Sequence, residues 1–134
     1  MKVILVSHGD FAAGLCSTLT NFFGAQNVYS ACVSLETGAE SLHSAVKGYL
    51  EQWGDEEKVV ICSDIKGGSA NQNAFQYLDR PNTFLVSGMN LSLCLQLMLK
   101  DDITIEELRD IVAEAKNDMV ILNDEVVATP DDDE

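Results

Sequence analysis

The chain has 134 residues, 22 of them acidic and 8 basic, for a formal net charge of −14. That balance argues against DNA, RNA or an anionic membrane surface as the main partner, because each selects a basic face. Apolar residues make up 46% of the sequence, enough for one packed core and not two, and no run approaches the roughly 18 apolar residues of a membrane span.

The N-terminal apolar run, Val3 to Val6, is too short for a signal peptide and lacks a small-residue cleavage site. A cytoplasmic protein is expected. Cys16, Cys32, Cys62 and Cys94 form no CxxC pair and each sits in an apolar stretch. They read as reduced core residues, and no metal site is expected.

Val3 to Val6 reads as a strand buried on both faces. Asp10 is placed to cap a helix whose stripe is Phe11, Leu15, Leu19 and Phe22, with Gly24 closing it. Val28 to Leu35 is the second strand, and Leu42, Ala45, Val46, Tyr49 and Leu50 mark a second helix. Val59 to Cys62 is the third strand. A turn at Gly67-Gly68-Ser69 leads into a helix reaching about Leu78, broken by Asp79-Arg80-Pro81-Asn82. Thr83 to Val86 is the fourth strand, followed by a helix from Gly88-Met89-Asn90 to about Lys100. Thr104 with Glu107 spells a capping box before the stripe Leu108, Ile111, Val112 and Ala115. Met119 to Leu122 and Val126 to Ala128 read as short extended pieces, and Asp131 to Glu134 as a solvated acidic tail. The expected organisation is one domain over 1–128 and a disordered tail over 129–134.

Repeated β-α-β units imply a single α/β domain: a mostly parallel sheet with right-handed crossovers and helices on both faces. The expected strand order is 2-1-3-4. The first and third strands are then neighbours, and ligands bind beyond their carboxyl ends, where the chain leaves in opposite directions. The first strand ends at Ser7-His8-Gly9-Asp10 and the third at Ser63-Asp64-Ile65-Lys66-Gly67-Gly68-Ser69. This order brings His8 beside Asp64. A carboxylate that accepts from Nδ1–H leaves Nε2 as a free lone pair, a nucleophile or a general base. The turn Gly67-Gly68-Ser69 enters a helix N-terminus, which is an anion site, and Ser69 adds a hydroxyl donor. Taken singly, each piece has a structural reading: a histidine after a strand, an aspartate capping a turn, two glycines in a tight connection. Their convergence suits a phosphohistidine site. His43, within the second helix, is given no role.

These residues resemble a known family. Val6-Ser7-His8-Gly9 with Ala12, Ser63 through Ser69 with Asn71 and Ala74, and Gly88-Met89-Asn90 are similar to the IIA component (EIIA) of the mannose/fructose/sorbose family. That family belongs to the bacterial phosphoenolpyruvate-dependent sugar phosphotransferase system. The resemblance runs from Met1 to about Ala128. It implies a phosphotransferase without cofactor, in which His8 takes phosphoryl on Nε2, Asp64 is its hydrogen-bonding partner, and Ser69 with its turn contacts the phosphate. It implies HPr as donor, EIIB as acceptor and, indirectly, membrane EIIC and EIID subunits. It also implies a homodimer, and favours exchange of an antiparallel C-terminal strand over the alternative, pairing within its own chain. The chain departs from the family at Lys66, often a large apolar residue there, and at Ala70 and Ser92, often Pro. The competing readings are a phosphotransfer subunit of a dihydroxyacetone kinase and a regulatory module of the same fold. A Rossmann-type nucleotide protein is disfavoured by the lack of GxGxxG after the first strand.

Overall fold

The structure is a computed structural model and describes residues 1–126. Strands and helices alternate: β1 (Lys2–His8), α1 (Phe11–Phe23), β2 (Val28–Val33), α2 (Glu40–Gln52), β3 (Val59–Ser63), α3 (Ser69–Ala74), β4 (Thr83–Ser87), α4 (Leu91–Met98) and α5 (Ile105–Lys116). A 3-10 turn, Phe75–Asp79, continues α3. The four strands form one sheet in the order 2-1-3-4, every pairing parallel.

The continuous apolar runs of β1 and β3 follow from burial on both faces. Val3 and Leu5 of β1, with Val60 and Cys62 of β3, face a core shared with Leu19 of α1, Leu93 and Leu97 of α4, and Leu108 and Ile111 of α5. Ile4, Val6, Val59 and Ile61 face the other core, against Leu42 and Val46 of α2 and Ala70, Ala74 and Tyr77. All five residues of β3 are buried. Each such aliphatic side chain contributes about 1.5–3 kcal/mol of transfer free energy, so the centre of the sheet is the rigid floor from which the site projects.

Several local expectations are corrected. Asp10 makes no side-chain cap. The donor it was to satisfy, the Ala12 N–H, goes instead to Ser7 Oγ at 2.7 Å, from the end of β1. The buried stripe of α1 is Ala12 and Leu19, while Phe11 and Phe22 face outward. β2 stops at Val33, because Ser34 and Gly38 pair in a tight turn that leaves Leu35 fully exposed. The helix after Ser69 is α-helical for one and a half turns only and tightens to 3-10 from Phe75. Met119 to Leu122 is not a strand: Leu122–Asp124 is a 3-10 turn, and Met119, Val120, Ile121 and Leu122 are exposed. Val126 is exposed as well; Val127 and Ala128 lie outside the described residues. Cys62 and Cys94 are buried thiols as expected, whereas Cys16 and Cys32 are half-buried.

Candidate active site

His8 is the last residue of β1 and Asp64 the first after β3, and the adjacency of the two strands places them side by side. The Asp64 carboxylate accepts three hydrogen bonds. Oδ2 takes the His8 backbone N–H at 2.8 Å and lies 2.7 Å from His8 Nδ1; Oδ1 takes the Ile65 N–H at 2.8 Å. An ionised carboxylate can only accept, so Nδ1 carries the proton and Nε2 of the neutral ring holds the lone pair. Partial burial pushes the Asp64 carboxyl up, but the bonds from the His8 N–H, the imidazole and the Ile65 N–H outweigh it and hold the group below the usual carboxylate range. The imidazole is half exposed and its partner 15% exposed, so the ring is the more accessible of the two.

The other ring nitrogen also has a partner: Ser69 Oγ stands 3.0 Å from Nε2. In the neutral ring with its proton on Nδ1, Nε2 accepts and the serine hydroxyl donates. The turn that delivers Ser69 is tightly specified. Gly67 sits at φ +81°, a left-handed conformation costly for any residue with a Cβ. Gly68 has ordinary dihedrals, and space requires it: a Cβ there would lie 2.7 Å from Ile65 Cγ2 and 3.0 Å from His8 Cε1.

The two glycine N–H groups are spent inside the turn. Gly67 donates to Asn71 Oδ1 at 3.0 Å and Gly68 to the Ile65 carbonyl at 3.1 Å. The first N–H groups of α3 have no acceptor within the helix, and the Ser69 hydroxyl stands at Nε2. A helix of six residues adds little dipole. Lys66 is exposed beside this turn and makes no ion pair among the described residues.

The sequence reading gave no role to a buried layer beneath the turn. Asn71 Nδ2 donates to Ser63 Oγ at 2.8 Å, and both side chains are buried. The Ser63 carbonyl accepts from the Gly88 and Met89 N–H groups, tying the β4–α4 turn to the same point. The one available signal was polar residues in buried registers: Ser63 closing an apolar strand, and Asn71 between Ala70 and Ala74. His43 is half-buried and its Nδ1 lies 2.6 Å from Tyr77 Oη, a link between α2 and the 3-10 turn. It is on the face away from Cys62 and has no contact with His8 in the hydrogen-bond network.

The sequence model of the family described as the phosphotransferase system (PTS) fructose IIA component, EIIA-man, matches residues 2–116. The chain belongs to this EIIA-man family. Solved structures agree with that assignment. A Klebsiella pneumoniae protein, described as a phosphoenolpyruvate-dependent sugar phosphotransferase system permease, superposes with a TM-score of 0.81 at 26% identity, over 94% of this chain and 93% of that one. The PTS IIA protein associated with a fucose utilisation operon of Streptococcus pneumoniae gives 0.80 at 24% identity, over 94% and 96%. The mannose/sorbose specific IIA subunit of Enterococcus faecalis gives 0.68 at 20% identity, over 96% and 92%, a likeness of fold. No match was found among the curated proteins. As an EIIA-man protein the chain is part of sugar phosphotransfer, and among its described residues no helix is long and apolar enough to cross a membrane.

Proposed function

We propose that this EIIA-man protein is a cytoplasmic phosphocarrier: His8 takes a phosphoryl group from phospho-HPr and passes it to a histidine of an EIIB component. That component phosphorylates sugar entering through membrane EIIC and EIID. The observation that carries the reading is an imidazole gripped at both nitrogens, by Asp64 at Nδ1 and by Ser69 at Nε2.

In the first step the donor's P–N bond breaks as a bond forms between phosphorus and His8 Nε2. Ser69 releases the Nε2 lone pair and turns its hydroxyl to a phosphoryl oxygen. Nδ1–H stays on Asp64, whose negative charge stabilises the cationic character that the ring gains. The turn Gly67-Gly68-Ser69 receives the phosphoryl group: Ser69 by its hydroxyl and the adjacent N–H groups, Gly67 and Gly68 by shaping the turn and leaving room for it. Transfer to EIIB reverses these events.

The test is phosphorylation by phosphoenolpyruvate, enzyme I and HPr, followed by mapping of the label and addition of a candidate EIIB. Acid-labile, alkali-stable phosphate on His8 that discharges to EIIB is expected. Label on His43, or undiminished label in His8→Ala, sinks the assignment. A label that moves to no EIIB favours a regulatory module of the same fold.

The proposal extends to assembly. β4 is an edge strand, and a groove between it and α5, lined by Val86, Ser87, Val112 and Lys116, opens beside Met119. In the homodimer, the exposed apolar segment that starts at Met119 pairs antiparallel with β4 of a second copy, within a domain spanning 1–128.

A further inference from the structure

The Asn71 side chain spans from the end of β3 to the turn facing His8. It is 3% exposed, in the first turn of α3, and both ends of its carboxamide are engaged. The atom facing the Gly67 N–H must accept and the atom facing Ser63 Oγ donates, so the amide has one satisfied orientation. Ser63 is itself fully buried at the end of β3. The other side-chain hold on Gly67, Gln72 Nε2 on its carbonyl at 2.7 Å, is exposed, where water replaces it at little cost. Asn71 differs in being anchored from below: its bond to Ser63 Oγ is buried, although its bond to Gly67 is only partly so.

The next two residues meet the imidazole. Gly68 packs so closely that a Cβ would stand 3.0 Å from His8 Cε1, and Ser69 Oγ reaches Nε2 at 3.0 Å. A turn that drifts changes both the length of the serine bond and the clearance between Gly68 and the ring. Transfer to a nitrogen needs aligned reacting atoms, and misplacement of about 1 Å costs roughly 10²-fold.

We propose that Asn71 is a positioning residue, a buried tether from Ser63 to Gly67 that sets where Gly68 and Ser69 stand against the His8 ring. Its kinetic consequence rests on the phosphocarrier reading; its structural consequence does not. Asn71→Ala removes the acceptor that ties the Gly67 N–H to Ser63 and lets the turn drift. The variant is expected to fold, to bind HPr with an unchanged KM, and to be phosphorylated roughly 10–100-fold more slowly at saturating donor. Because it acts through Ser69, the double variant with Ser69→Ala is expected to be no slower than about the slower single variant.

A second readout needs no phosphate. The nitrogen-15 resonance of His8 Nε2 in the unphosphorylated protein reports the serine bond. In Asn71→Ala it is expected to move to the position seen in Ser69→Ala. Ser63→Ala, which removes only the anchor, is expected to move it part of the way, and decides the matter should Asn71→Ala not fold. An Nε2 resonance at the wild-type position in the folded variants overturns the proposal, as do rate losses that multiply in the double variant. A wild-type protein that takes no phosphate on His8 overturns the phosphocarrier reading alone, since the resonances still test the tether.

Discussion

Asp64 offers one oxygen to the Ile65 N–H and the other to the backbone N–H and Nδ1–H of His8. Asp64→Asn preserves this shape, yet an amide that keeps its oxygen on the Ile65 N–H turns two donors toward His8. The ring then moves its proton to Nε2, and the nucleophile is lost. Transfer is expected to fall by roughly 10²–10⁴-fold with unchanged circular dichroism; a rate within a factor of two of wild type refutes the role. The same carboxylate has a pH signature. Its pKa is held down in the folded state, so its stabilisation is complete above the ordinary aspartate range near ~3.9 and is lost as pH falls through the lower folded value. The stability gap between wild type and Asp64→Asn, measured by urea unfolding, should therefore narrow between about pH 6 and pH 2.5. Gly68→Ala tests a different constraint, because its backbone accepts any residue and only the His8 and Ile65 contacts forbid a methyl. It should slow phosphorylation roughly tenfold or more while the melting temperature moves by only about 2–4 °C.

At the scale of elements, α5 is the helix whose start is written most completely. Thr104 Oγ1 accepts the Glu107 N–H at 3.1 Å, and Glu107 returns a bond to the Thr104 N–H at 3.3 Å. Glu107 also pairs with Lys100 at 3.1 Å, clamping the α4–α5 connection. Thr104→Ala orphans a first-turn donor and should cost about 1 kcal/mol, or roughly 2–5 °C by calorimetry, with phosphotransfer at 25 °C unchanged. A loss below a few tenths of a kcal/mol would show that the Lys100 clamp alone holds the helix start. The start of α1 shows the opposite case: Asp10 stands at the cap position without bonding, and Ser7 serves from inside the preceding strand. Local sequence names a capping residue only when that residue can turn its side chain back. Here the left-handed Gly9, at φ +55°, sends the chain across the end of β1 and makes Ser7 the nearer acceptor.

For the whole molecule, the sheet leaves β2 and β4 as edges. Met119, Val120, Ile121, Leu122 and Val126 present exposed apolar surface. An exposed edge and an exposed apolar segment are both aggregation hazards, and antiparallel pairing across a two-fold axis removes them together. Deletion from Asp118 onward should convert a dimer to a monomer in light scattering at micromolar concentration. A full-length monomer there rules the dimer out; a truncated dimer removes this segment as its cause.

The fold was legible because its determinants are short-ranged and periodic. Runs such as Val59 to Cys62 require burial on both faces, and β-α-β connectivity with right-handed crossovers leaves few strand orders, of which 2-1-3-4 is observed. The Thr104–Glu107 box was legible for the same reason, since both partners lie within one turn. The pairing of His8 with Asp64 could be read once that order was assumed, because strand ends carry their residues with them. Tertiary structure alone decided the rest: the hydroxyl on Nε2, the clearance at Gly68, the Asn71 tether to Ser63, and the outward turn of Phe11 and Phe22. These depend on side-chain rotamers and sub-ångström spacing between segments distant in the chain. No periodic pattern encodes such distances; they exist only after the sheet has set its register.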